Sequence, residues 1–137
     1  MTEPLHHHDA LIYAMVTMSA VDRTMTDAEL ARIGEIVANL PVFAGYDGDK
    51  LVQTSQTCGE ILGSDNGLEQ VLQLIRSALP KKLRETAYAV ALEVAAADLS
   101  VRPEELRFLD MLRDNLDLDK LTTAAIERGI RARNMVL

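Results

Sequence analysis

A chain of 137 residues, 48% hydrophobic and 26% charged, is long enough to bury one core and too short for two full domains. Its formal charge of −7 sits in residues 1–69, with 11 acids against 3 bases, while residues 70–137 hold 10 acids and 11 bases. The first part would repel phosphate and the second offers only weak basic patches, at Lys81, Lys82 and Arg84 and at Arg128, Arg131 and Arg133, so nucleic acid is not an expected partner.

Tryptophan is absent and aromatics are 4%; Ala, Leu, Val, Ile and Met fill the apolar quota, which suits packed helices rather than sheets. The expected fold is all-α, one domain over 9–137 behind a flexible start at 1–8. That start has no basic stretch of a signal peptide, and the apolar runs at 10–21 and 87–97 fall short of the ~20 residues needed to span a bilayer. A soluble, cytoplasmic protein without direct membrane insertion is therefore expected. Cys58 is the single cysteine, which rules out an intramolecular disulfide and any C-x-x-C site.

In chain order, Asp9 is placed to cap a first helix that runs to about Val21 and is apolar on every face, the pattern of a helix buried all round. Thr26 and Glu29 then form a T-x-x-E capping box for an amphipathic second helix, with Leu30, Ile33, Ile36, Val37 and Leu40 on one stripe and Pro41 beyond its end. Residues 41–48 read P-V-F-A-G-Y-D-G, an irregular connection. A third helix from about Asp49 carries Leu51, Ser55, Cys58 and Leu62, and Asp65 is placed to cap a fourth with Leu68, Val71, Leu72, Ile75 and Leu79. Pro80 and Pro103 occupy first-turn positions of a fifth, apolar helix to about Ala97 and of a sixth with Leu106, Leu109, Leu112 and Leu116 inside. A last helix from about Leu118 holds Leu121, Ala125 and Ile126, with a weaker tail at Gly129. Seven helices and no strand are expected.

The first and fifth helices and the turns after them repeat one plan at a fixed offset of 76 residues, Asp22 to Asp98, Glu29 to Glu105 and Leu30 to Leu106, which suggests an internal, pseudo-twofold repeat. Each Asp ends a buried helix and each Glu lies seven residues on, in the first turn of the next helix, so the two carboxylates can approach across the turn. Two roles are open. In one the acids hold turn N–H groups and close capping boxes. In the other Asp22, Glu29, Asp98 and Glu105 form oxygen-rich sites for a hard cation such as Ca²⁺ or Mg²⁺, with Asp27 and Glu104 as further donors. Neither turn has the twelve-residue calcium-loop pattern.

Glu93 stands alone among apolar residues, opposite Thr17 in the repeat; if buried it would be a candidate proton donor or metal ligand, though a single wet edge of the helix is the expected reading. His6, His7 and His8 could bind metal, yet adjacent histidines on a loose terminus do not converge easily on one ion, and no role is assigned to them. Cys58 reads as a core thiol rather than a nucleophile, and Met15, Met18, Met25 and Met111 as core filler rather than soft-metal ligands. Phosphate loops, nucleophile elbows, H-E-x-x-H and E-x-x-H pairs are all missing, which tilts against catalysis.

The paired segments A-M-V-T-M-S-A-V-D-R-T-M-T-D-A-E-L and A-L-E-V-A-A-A-D-L-S-V-R-P-E-E-L resemble the tellurite-resistance TerB family over roughly residues 9–120. Members carry an apolar helix ending in Asp-Gly and a Glu seven residues after the Asp, and a related domain occurs in the membrane-anchored co-chaperone DjlA. The resemblance implies a pseudo-symmetric all-helical fold and a bacterial stress-associated protein, non-enzymatic, that binds metal through acidic residues and associates with membrane-bound partners. By position the motif acids are Asp22, Glu29, Asp98 and Glu105; the glycine after each Asp is replaced here by Arg23 and Leu99. Three roles follow as expectations: a metal-linked stress module, a protein-interaction scaffold with purely structural acids, and, ranked last, an enzyme using a buried Glu93.

Overall fold

The computed structural model describes residues 5–21, 25–95 and 102–137. Among them are seven α-helices and no strand: α1 (His7–Ala20), α2 (Asp27–Asn39), α3 (Leu51–Leu62), α4 (Gly67–Ala78), α5 (Lys81–Ala95), α6 (Pro103–Asn115) and α7 (Lys120–Arg133). Short 3₁₀ turns at Pro41–Phe43 and Gly48–Lys50 break the connection from α2 to α3.

α1 is the hub. Its residues from Ala10 to Ser19 are all buried, as expected of a helix apolar on every face, and it packs on α5, α3 and α4 with further contacts to α2 and α6. α5 is the second central helix; it buries Ala87, Tyr88, Val90, Ala91, Leu92, Val94 and Ala95 and carries α7 and α6. Each large apolar side chain taken out of water here contributes about 1.5–3 kcal/mol, offset by the entropy of ordering the chain, so the two central helices hold the others in place.

Local sequence explains most boundaries. Thr26 caps α2: its Oγ1 accepts from Glu29 N at 3.1 Å while Thr26 N donates to Glu29 Oε1 at 2.9 Å, the reciprocal capping box. α7 is capped by Asp119, whose Oδ1 accepts from Thr122 N at 2.7 Å; these bonds to the Thr122 backbone and hydroxyl hold the Asp119 carboxyl below its ordinary range. α6 ends in a Schellman motif: Leu118 N donates to Arg113 O at 3.0 Å and Asp117 N to Asp114 O at 3.3 Å, with Asp117 left-handed at φ 57°. The Asp117 carboxylate then pairs with Arg76 at 2.9 Å, and the same guanidinium donates to the Asn115 carbonyl, which ties α4 to the end of α6.

Four expectations need correction. α1 starts at His7 with His6 as its cap, so the helix takes in part of the start read as flexible, and Asp9 is not the cap; its Oδ1 accepts from Thr54 Oγ1 at 3.5 Å and joins α1 to α3. α4 is preceded by Asn66 in the left-handed conformation, φ 56°, with no side-chain cap, rather than by a capping Asp65. Leu109, Leu112 and Leu116 lie inside as expected, but Leu106 is exposed and Phe108 fills the inner place at the start of the stripe. Leu121 is 83% exposed, and α7 turns Thr123 and Ile130 inward.

Candidate functional site

The acidic turns stand in the structure through their glutamates. Glu29, in the first turn of α2, accepts the Thr26 N–H and the Thr26 hydroxyl, both at 2.9 Å. Glu105, in the first turn of α6, accepts the Arg102 N–H at 3.1 Å. Both carboxylates therefore do the same local work, closing the N-terminus of the helix that follows the turn. Asp27 and Glu104 are exposed beside them. Asp22 and Asp98, with the replaced glycine positions Arg23 and Leu99, lie outside the described residues, and the Asp–Glu approach across each turn lies there with them.

Two clefts flank the central helices. One, of about 600 Å³, is lined by Thr17 of α1, by Val21 and Leu62, and by Glu104, Phe108 and Met111 of α6. The other, of about 490 Å³, lies between α2, α5 and α7 and contains Glu93. The expectation of a wet edge at Glu93 is corrected here. Its side chain is only 13% exposed, with Oε1 3.5 Å from Arg32 of α2 and Oε2 3.5 Å from Arg133 of α7. Arg32 also donates to Asn134 Oδ1 at 3.4 Å. Both carboxylate oxygens face guanidinium groups, so the cluster joins three helices and offers no free acid for proton transfer. Its partners lie 61 and 40 positions away in the chain, beyond the reach of any local pattern.

Cys58 is a fully buried core thiol, 3.8 Å from Thr17 Oγ1; burial pushes it up to about 11, so it is no nucleophile at neutral pH. Met15 and Met18 are buried core residues, while Met25 and Met111 are partly buried against the core. The phenols are likewise displaced upward by burial, Tyr13 to about 12 and Tyr88 higher still, where its hydroxyl donates to Glu127 Oε1 at 2.6 Å.

The histidine cluster is the feature that the sequence reading passed over. One ring nitrogen from each of His6, His7 and His8 lies within 4.8 Å of those from the other two. Burial, reinforced by the two neighbouring imidazoles, lowers the pKa of His7 from its ordinary 6.5. A histidine run is itself the signal; what hid it was the assumption of a loose terminus.

The domain is all-helical, with two central apolar helices, each leading toward a helix that carries a glutamate in its first turn. The sequence matches the family described as Tellurite resistance protein TerB over residues 8–128, and the chain belongs to that family. No curated protein and no solved structure matches it. Among the described residues no helix is long and apolar enough to cross a membrane.

Proposed function

We propose that this chain is a non-enzymatic TerB-type binding module of a bacterial stress response, cytoplasmic, taking a divalent cation such as Ca²⁺ or Mg²⁺ at one or both acidic turns. The observation that carries the reading is the equivalent placement of Glu29 and Glu105, each in the first turn of the helix that follows a central helix and each accepting the backbone N–H of that helix's N-cap residue. Asp22 and Asp98 would complete the two donor sets. Hard cations of this kind take oxygen ligands, and the acidic balance of residues 1–69 favours their approach.

The internal repeat has support of the same kind. Thr17, Phe108 and Met111 line the first cleft, and Glu93, Arg32 and Glu35 line the second; each pair of equivalents is again 76 residues apart. The two clefts thus occupy corresponding places, α1 against α6 and α5 against α2.

A second reading, an interaction scaffold for protein partners including membrane-associated ones, is favoured by the capping bonds themselves, which give Glu29 and Glu105 a structural role without metal. One experiment separates the two: thermal unfolding of metal-stripped protein, alone and with millimolar Ca²⁺ or Mg²⁺, with an Asp22→Asn/Asp98→Asn variant in parallel. The metal reading expects a rise in Tm that follows cation concentration over Kd and disappears in the variant. Absence of any rise, together with a lowered Tm in the variant, would leave the acids as caps and make the scaffold the function.

A further inference from the structure

We propose that His6, His7 and His8 form a nitrogen-donor site for a divalent transition-metal ion such as Zn²⁺, built into the start of α1 and separate from the acidic turns. The three rings lie against one another, with centroids 4.3, 4.6 and 4.3 Å apart, and one nitrogen of each falls within 4.8 Å of the other two. Zinc held at ~2.0–2.1 Å by tetrahedral nitrogens needs donor separations of about 3.3 Å. Closing that gap takes small side-chain rotations, because all three residues retain access to solvent.

The cluster differs from a flexible chelating tag in how it is held. His7 is the first residue of α1 and His6 its cap, and by Ala10 the helix is fully buried. His8 reaches across to the connection after α2: its Nε2 lies 2.8 Å from the Val42 carbonyl oxygen, and its ring packs 5.7 Å from Phe43 and 5.6 Å from Tyr46. A carbonyl can only accept, so Nε2 carries the proton and Nδ1 keeps the lone pair. Fixing the tautomer through a backbone oxygen in this way is how proteins orient a ligating imidazole.

His6 adds a condition. Its Nδ1 accepts the His8 N–H at 3.1 Å, so that lone pair is directed and serves as the helix cap. To bind through it His6 exchanges the cap for the ion, which makes His7 and His8 the primary pair and His6 the third donor. Imidazole donors select Zn²⁺, Ni²⁺ or Cu²⁺ over Ca²⁺ and Mg²⁺, so this site and the acidic turns answer to different ions. Because His8 is fixed to Val42, the geometry exists only in the folded chain, and binding stabilises the fold.

The test is Zn²⁺ titration of the metal-stripped full chain by calorimetry, with Tm read alongside. One ion per chain is expected, with Tm rising by several degrees at saturating Zn²⁺. His7→Ala retains both the His6 cap and the His8–Val42 bond, so it should fold normally and bind Zn²⁺ at least ~10-fold more weakly. Asp22→Asn/Asp98→Asn should leave the Zn²⁺ response intact. Four results would overturn the site: no saturable binding; binding without a rise in Tm, the mark of a tag-like chelator; binding undiminished by His7→Ala; or loss of the response in the Asp22/Asp98 variant, which would assign the ion to the acidic turns.

Discussion

Glu93 shows what a single side chain can do once its distant neighbours are known. Its carboxylate, 13% exposed, meets Arg32 at 30% exposure on one side and Arg133 at 69% on the other, and the two halves of the cluster differ in weight for that reason. Solvent screens the Arg133 contact, and exposed pairs contribute roughly 0–1 kcal/mol. The Arg32 contact is better shielded, and Arg32 Nε is buried without a partner, so removing the carboxylate leaves a poorly solvated cation. Glu93→Ala should therefore destabilise the protein by about 1–3 kcal/mol, whereas Arg133→Ala should cost less than about 0.5–1 kcal/mol. Urea denaturation of both variants measures the difference; equal losses would show that the Arg32 side carries no extra weight. Local composition marked Glu93 as unusual within an apolar helix, but periodicity says nothing about which residues of α2 and α7 come to meet it.

Helices are where sequence and structure agree best, and where they part the reasons are local. The T-x-x-E box of α2 was readable because both partners lie three residues apart and the chemistry is reciprocal. The stripe of α4 was equally plain, with Val71, Leu72, Ile75 and Leu79 all buried. Its start was not, because an Asp is a commoner cap than a left-handed Asn, although Asn-Gly at 66–67 is a recognised turn signal. The reason for that glycine is steric. A Cβ at Gly67 would lie 2.2 Å from the Ile61 carbonyl oxygen and 2.6 Å from that of Leu62, backbone atoms that cannot move without shifting the end of α3. Gly67→Ala should accordingly destabilise the fold by more than about 2 kcal/mol, while Gly59→Ala, which meets nothing within 4 Å in the last turn of α3, should be neutral or stabilising by up to ~1 kcal/mol. Thermal melts of the pair decide it, and a neutral Gly67→Ala would mean that the α3–α4 corner is free to open.

Taken whole, the molecule has one core reached by every helix, and that predicts how it unfolds. α1 and α5 are each buried along much of their length and lie against one another; α2, α3, α4 and α6 rest on α1, while α6 and α7 rest on α5. No helix can leave without exposing a face of the central pair, so loss of any one removes support from the rest. This much follows from apolar patterning, since a helix with no polar face must lie inside, and so does the Leu109, Leu112 and Leu116 stripe of α6; the first turn of α6 and the seating of α7 did not follow, because the exposed Leu106 and Leu121 fit a helical stripe as well as the buried residues do. A chain of this size with one shared core should unfold in a single cooperative step. Tyrosine reports it conveniently, because Tyr13 and Tyr88 lie in α1 and α5, are almost fully buried, and have no tryptophan to mask them. Urea curves from tyrosine fluorescence and from far-ultraviolet circular dichroism should therefore coincide, with an m-value of about 1–3 kcal/mol per molar. A far-ultraviolet loss that precedes the tyrosine transition would instead show outer helices melting while the α1–α5 pair and the Tyr88–Glu127 contact with α7 still hold, and would overturn the single step.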